Sequence, residues 1–188
     1  MIEIIFYGRG GQGAVTASNI LVTAAFAEGK YAQAFPYFGS ERKGAPVMAY
    51  ARISTTPIEV RNPIERPDIV VVLDPGLFKS SDPLNSLKPE GVAIVNTHKS
   101  PAEIQSYSEN KTGTIYTVDA TALSEKIYGQ SSIPKTNVAM LGALIACQRI
   151  TSLESILAAI DQYFVGDDAT RAKEGAKLAY KEILSKIQ

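Results

Sequence analysis

Ile2-Glu3-Ile4-Ile5-Phe6-Tyr7 runs straight into Gly8-Arg9-Gly10-Gly11-Gln12-Gly13, and the reading of this junction decides the fold. An apolar β-rich run, then clustered glycines, then the Ala-, Leu- and Ile-rich stretch Ala14–Glu28 reads as strand, tight turn and helix. Gly8, Gly10 and Gly13 fit the G-x-G-x-x-G spacing. The missing Cβ atoms let the chain turn sharply and let a ligand or a neighbouring backbone come close. Behind such a turn the helix N-terminus carries unpaired N–H groups and partial positive charge, which suits a phosphate or a carboxylate. Ala17, Ile20, Leu21 and Ala24 give the helix one apolar face, and Gly29 is its stop.

Outward from this unit, Lys30–Phe35 reads as a second strand. A dinucleotide-binding fold wants an acidic residue at the end of that strand to hold ribose hydroxyls. This strand instead enters Phe35-Pro36-Tyr37-Phe38, and Glu28 comes too early, which counts against NAD. The stretch Phe35–Pro46, with its aromatics, glycines, prolines and Glu41-Arg42-Lys43, is a shaped loop. It is either a plain surface connection or a binding loop that turns Arg42 and Lys43 towards an anion. Val47–Ile53 resumes strand character, and Pro57–Val60 reads as a hairpin return.

Asp68–Asp74, Gly91–Asn96 and Thr114–Asp119 are β-branched runs, apolar on both faces, as central parallel strands are. Asp74 falls at a strand's carboxyl end, as a ligand contact or as the turn former before Pro75-Gly76. His98, the lone histidine, reads as structural or solvated. Ala120–Tyr128 is a short helix, and Asn137–Ile150 is apolar nearly all round and therefore buried, with Cys147 as a small core residue. Thr151-Ser152-Leu153-Glu154 reads as a capping box, and Asp167 and Asp168 open a last helix that closes with Lys181 and Lys186.

The expected fold is therefore α/β. It is a three-layer domain over residues 1–188, with a mostly parallel sheet, helices on both faces and a Rossmann-like first βα unit. Ile4, Ile5, Phe6, Val70, Val71, Val72, Ile94, Val95, Leu141 and Leu144 form the expected core. Nineteen basic and nineteen acidic residues cancel, so nothing favours nucleic acid. No apolar run suits a membrane span and no signal peptide is expected, so the reading is cytoplasmic. One cysteine and one histidine allow neither an internal disulfide nor a Cys/His metal site.

Together these stretches resemble the gamma subunit of the 2-oxoacid:ferredoxin oxidoreductases, in the pyruvate or 2-oxoisovalerate branch also called pyruvate synthase. The resemblance is carried by Gly8–Val15, by Ala34–Val47, by Pro67–Pro75, by Asn96-Thr97 and by Asn137–Ala143. It implies one part of an enzyme that makes acyl-CoA and CO2 from a 2-oxoacid and passes electrons to ferredoxin. It further implies alpha, beta and delta subunits as partners. Thiamine diphosphate, Mg and iron–sulfur clusters would lie in those other subunits, with coenzyme A as substrate. This chain would bind none of these cofactors alone and would be inert towards pyruvate. Gly8, Gly10, Gly11, Gln12, Gly13, Arg42 and Lys43 are its candidate coenzyme A or interface contacts, and no catalytic or metal residue is expected. The competing readings are a stand-alone nucleotide- or flavin-binding enzyme and a purely structural subunit.

Overall fold

The computed structural model describes residues 1–38 and 46–187. The chain forms β1 (Ile2–Arg9), α1 (Ala14–Ala27), β2 (Tyr31–Phe38), β3 (Pro46–Ser54), β4 (Ile69–Val72), a 3-10 turn (Pro75–Lys79) and β5 (Val92–Asn96). There follow α2 (Pro101–Ser106), β6 (Thr114–Val118), α3 (Ala120–Tyr128), α4 (Asn137–Cys147), α5 (Leu153–Ile160) and α6 (Gly166–Ile187). The sheet order is β2-β3-β1-β4-β5-β6. β1, β4, β5 and β6 pair in parallel, whereas β3 runs antiparallel to both β1 and β2. The expected mostly parallel α/β sheet with a βα start is what the chain builds.

Every residue of β4 and β5 is buried, as runs apolar on both faces require. One face of the sheet, with Ile4, Phe6, Val71 and Ile94, packs on α1, α4, α5 and α6 in the principal core. On the opposite face the helical cover is thin. Val70, Val72, Ala93 and Val95 lie under Leu84, Leu87 and Ile104 of α2, and Ile5 and Tyr50 lie under Ile64. All ten expected core residues are buried. α4 is buried from Asn137 to Ala146. It meets α6 backbone to backbone, because a Cβ on Gly142 would collide with the Ala176 carbonyl.

Three local expectations are corrected. β2 continues through Pro36 to Phe38, which an edge strand tolerates because it has a neighbour on one side only. Pro57–Val60 forms no strand; the hairpin is β2–β3. The stretch serves instead to satisfy Arg52, which is 1% exposed. Its Nε donates to Glu3 Oε1 at 2.9 Å, and its Nη atoms donate to the carbonyls of Val60 (3.4 Å) and Asn62 (2.8 Å). Finally, the cap of α5 is Ser152, whose Oγ accepts from Ser155 N at 3.0 Å. Thr151 instead donates to Glu28 Oε1 at 2.6 Å, tying α5's start to the end of α1.

α2 was not anticipated, although Ser100-Pro101-Ala102-Glu103 carries its signature. Ser100 and Glu103 form the reciprocal capping box, with Pro101 in the first turn.

Candidate functional site at the carboxyl edge of the sheet

The glycine turn follows β1 at the edge where parallel strands present their carboxyl ends. Gln12 N donates to Arg9 O at 3.1 Å, and Arg9 N donates back to Gln12 Oε1 at 2.7 Å. Gly11 and Gly13 adopt φ of 88° and 78°, the left-handed region that favours glycine. Gly13 is the N-cap of α1, with no side chain capping the helix.

The glycines are not equivalent. A Cβ on Gly13 would lie 2.5 Å from Asn137 Nδ2, and one on Gly8 would touch Gln12 Oε1 and Leu73. A Cβ on Gly10 would meet nothing within 4 Å among the described residues. Gly8 and Gly13 thus serve internal packing, while no described residue crowds Gly10. A cleft of about 340 Å³ lies beside Gly11, Gln12 and Gly13, walled by Thr16, Ile133 and Asn137.

Asp74 joins this turn to the end of β4, across the point where strand order switches from β1 to β4. Its Oδ2 accepts from Arg9 Nε at 2.8 Å and Gln12 Nε2 at 3.2 Å, while Oδ1 accepts from Gly76 N at 2.7 Å and caps the 3-10 turn. Asp74 is therefore a turn former and also the partner of the glycine turn. In a doubly wound fold the switch point is where a dinucleotide would sit; here the chain's own side chains bridge it. Glu28 is likewise engaged. Desolvation acts to raise its pKa, yet hydrogen bonds from Lys30, Ser152 and Thr151 outweigh that and hold it far below the ordinary carboxylate range.

Arg42 and Lys43 lie outside the described residues, but both flanks of their segment are placed. Phe38 pairs with Val47, Gly8 with Val47 and Arg9 with Pro46. The flanks of the segment containing Arg42 and Lys43 therefore both lie at the glycine-turn edge, Pro46 beside the end of β1 and Phe38 one strand further out.

On the other side of Asp74 a second cleft, of about 580 Å³, opens at the carboxyl ends of β5 and β6. Its floor is the buried Asn96, whose Nδ2 donates to Leu73 O at 2.9 Å and Thr121 Oγ1 at 3.1 Å, while its Oδ1 accepts from Thr121 N at 3.1 Å. His98 is exposed on this rim, without a hydrogen bond or ion pair among the described residues.

Cys147 is half-buried behind the principal core, and burial pushes its thiol up to about 12. A lone thiol of that kind fits no iron–sulfur cluster, which takes four thiolates. Among the described residues, no group of three or more His, Cys, Asp or Glu is placed to hold a metal ion. No described helix is long and apolar enough to cross a membrane.

The sheet, its glycine-led first βα unit and the bridged switch point define an α/β domain of doubly wound type. The chain belongs to the pyruvate ferredoxin/flavodoxin oxidoreductase family, whose model matches residues 3–182. It is 48% identical over 182 residues to the common gamma subunit of the pyruvate/ketoisovalerate oxidoreductases of Pyrococcus furiosus, covering 97% of each chain. It is 45% identical over 183 residues to the pyruvate synthase subunit PorC of Methanothermobacter marburgensis, covering 97% of this chain and 98% of the relative. The crystal structure of the pyruvate oxidoreductase subunit PORC from Thermotoga maritima matches with a TM-score of 0.82 at 36% identity, over 96% of this chain and 95% of that one. The resemblance to gamma subunits is thereby upheld. This is a subunit of an oxidoreductase, with the other subunits as its partners.

Proposed function

We propose that this chain, one domain over residues 1–188, helps to bind or gate coenzyme A within a 2-oxoacid:ferredoxin oxidoreductase. The holoenzyme converts a 2-oxoacid, of which pyruvate is the leading candidate, to acyl-CoA and CO2 and delivers the electrons to ferredoxin in the cytoplasm. Thiamine diphosphate with its Mg, bound in the alpha and beta subunits, supplies the decarboxylation chemistry. Iron–sulfur clusters in the beta and delta subunits carry the electrons. This chain contributes surface and anion-binding groups.

The observation that carries the reading is the common edge. The β-ladder registers put the re-entry of the Arg42-Lys43 connection, Pro46, opposite Arg9, and its exit, Phe38, one strand further out at the same edge; among the described residues nothing crowds the backbone at Gly10. The pyrophosphate and ribose phosphate of coenzyme A suit basic side chains and unpaired helix N–H groups. In the assembled enzyme, Arg42→Ala with Lys43→Ala is expected to raise the KM for coenzyme A by about tenfold. An unchanged coenzyme A dependence would defeat the reading.

A structural role is the second reading, favoured by Gly8 and Gly13, whose missing side chains are already required by Gln12, Leu73 and Asn137. In that case the same double variant weakens subunit association on native mass spectrometry and leaves KM unaltered.

A further inference from the structure

The cleft at the ends of β5 and β6 gathers charges of both signs in one concavity. Lys88, Lys135, Lys173 and Lys186, elsewhere, each reach an acidic partner. Around this cleft stand Lys79, His98, Lys99, Asp119 and Glu125. Among the described residues none of the five is ion-paired with any other.

The charges are also sorted. Lys79 ends the 3-10 turn, and His98 and Lys99 follow β5, so the basic groups share one rim. Asp119 and Glu125 belong to the start and body of α3 on the opposite rim. Asp119 Oδ1 accepts from Ala122 N at 2.9 Å, and Oδ2 has no donor among the described residues.

Between the rims the wall is apolar and aromatic. Phe78 and Tyr107 pack with centroids 6.4 Å apart, and Ile104 lies behind them. Lys99 Nζ sits 4.8 Å over the Tyr107 ring and donates to its hydroxyl, which holds this cation at the mouth. The buried Thr97 accepts from Lys99 N at 3.2 Å, and its own hydroxyl proton has no acceptor among the described residues.

We infer that this cleft is a binding site for a nucleoside phosphate. Phosphates meet Lys79 and Lys99, ribose hydroxyls donate to Asp119, and the base lies against Phe78 and Tyr107. The volume is within the usual range for small-molecule sites, and the cleft opens outside the carboxyl ends of β5 and β6, beyond the bridged β1–β4 switch point. A simple anion would leave Asp119 and Glu125 facing it repulsively, and a neutral ring would leave the lysines unanswered. A nucleoside phosphate satisfies both rims. The inference does not depend on the glycine-turn reading, from which the bonded Asp74–Arg9–Gln12 group separates it.

The ligand can be a free nucleotide or the nucleotide end of coenzyme A. ADP titrated into the full chain, read by backbone amide NMR, is expected to shift Asn96–Lys99 and Asp119–Ala122 saturably. Adenosine alone and pyrophosphate alone should each bind about tenfold or more weakly. Lys79→Ala with Lys99→Ala should weaken ADP about tenfold. Lys79→Ala alone, at an exposed side chain, should weaken it about threefold without touching Tyr107. Asp119→Asn keeps an oxygen for the helix cap and should also weaken ADP. If coenzyme A moves the same amides and competes with ADP, the site takes its nucleotide end; if ADP binds and coenzyme A does not compete, it takes a free nucleotide. The inference is overturned if ADP up to about 1 mM produces no saturable shift, if shifts are confined to Gly10–Thr16, or if both lysine variants bind ADP like the parent.

Discussion

Two regions share the carboxyl edge of the sheet and are built on opposite terms. At the glycine turn, Arg9, Gln12 and Asp74 use one another's hydrogen bonds, and what stays open is backbone at Gly10. At the β5–β6 cleft the backbone is closed over the buried Asn96 and what stays open is side-chain charge. The lesson is that a glycine-rich signature marks where a chain turns tightly, while an open charged cleft can lie two strands further along.

Four substitutions test that contrast, from the largest expected effect down. Gly13→Ala forces a left-handed φ on a residue with a Cβ and drives it into Asn137. It should destabilise by about 2–3 kcal/mol in urea unfolding; a loss below about 0.5 kcal/mol would mean that α4 yields freely. Asp74→Ala removes the acceptor for Arg9, Gln12 and the Gly76 cap. Its side chain is only 19% exposed, so about 1–2 kcal/mol should be lost, with the β5–β6 cleft unchanged in structure.

Glu28 probes acid stability away from both regions. Its folded-state pKa lies below the unfolded one, so its stabilisation is complete above about pH 4.5 and drains away as pH falls below that. Glu28→Gln should lower the melting temperature by on the order of a few degrees at neutral pH. It should also flatten the decline into acid; a parallel decline would show the Thr151, Ser152 and Lys30 bonds contribute nothing. Gly10→Ala, which meets no described residue, should stay within about 0.5 kcal/mol of the parent. In the assembled enzyme it becomes the sharpest probe of whether a ligand approaches that backbone.

Much of the scaffold was legible because its signals are local. Val70–Val72 and Ile94-Val95 are continuous apolar runs, and central strands need nothing else. Where sequence reading failed, a tertiary partner decided. Pro36 is at home in a strand only at a sheet edge, and it is the sheet order that places β2 there. Thr151 has the chemistry of a cap but is claimed by Glu28, distant in sequence. The turn at Gly8–Gly13 could be named in advance, whereas its bond to Asp74 depends on β1 lying beside β4. The charges of the second cleft, scattered from Lys79 to Glu125, form no motif at all. They meet only because β5 and β6 are neighbours.

Arg52 ties strand assembly to the irregular connection that follows it. A guanidinium sealed from water is tolerable only once its acceptors are present. Two of these are carbonyls of Val60 and Asn62, on the irregular connection after β3. The native seat of β3 against β1 is therefore complete only with the connection folded back over Arg52. A nick between Thr55 and Val60 would thus strike at strand assembly, in a stretch that looks like passive linker.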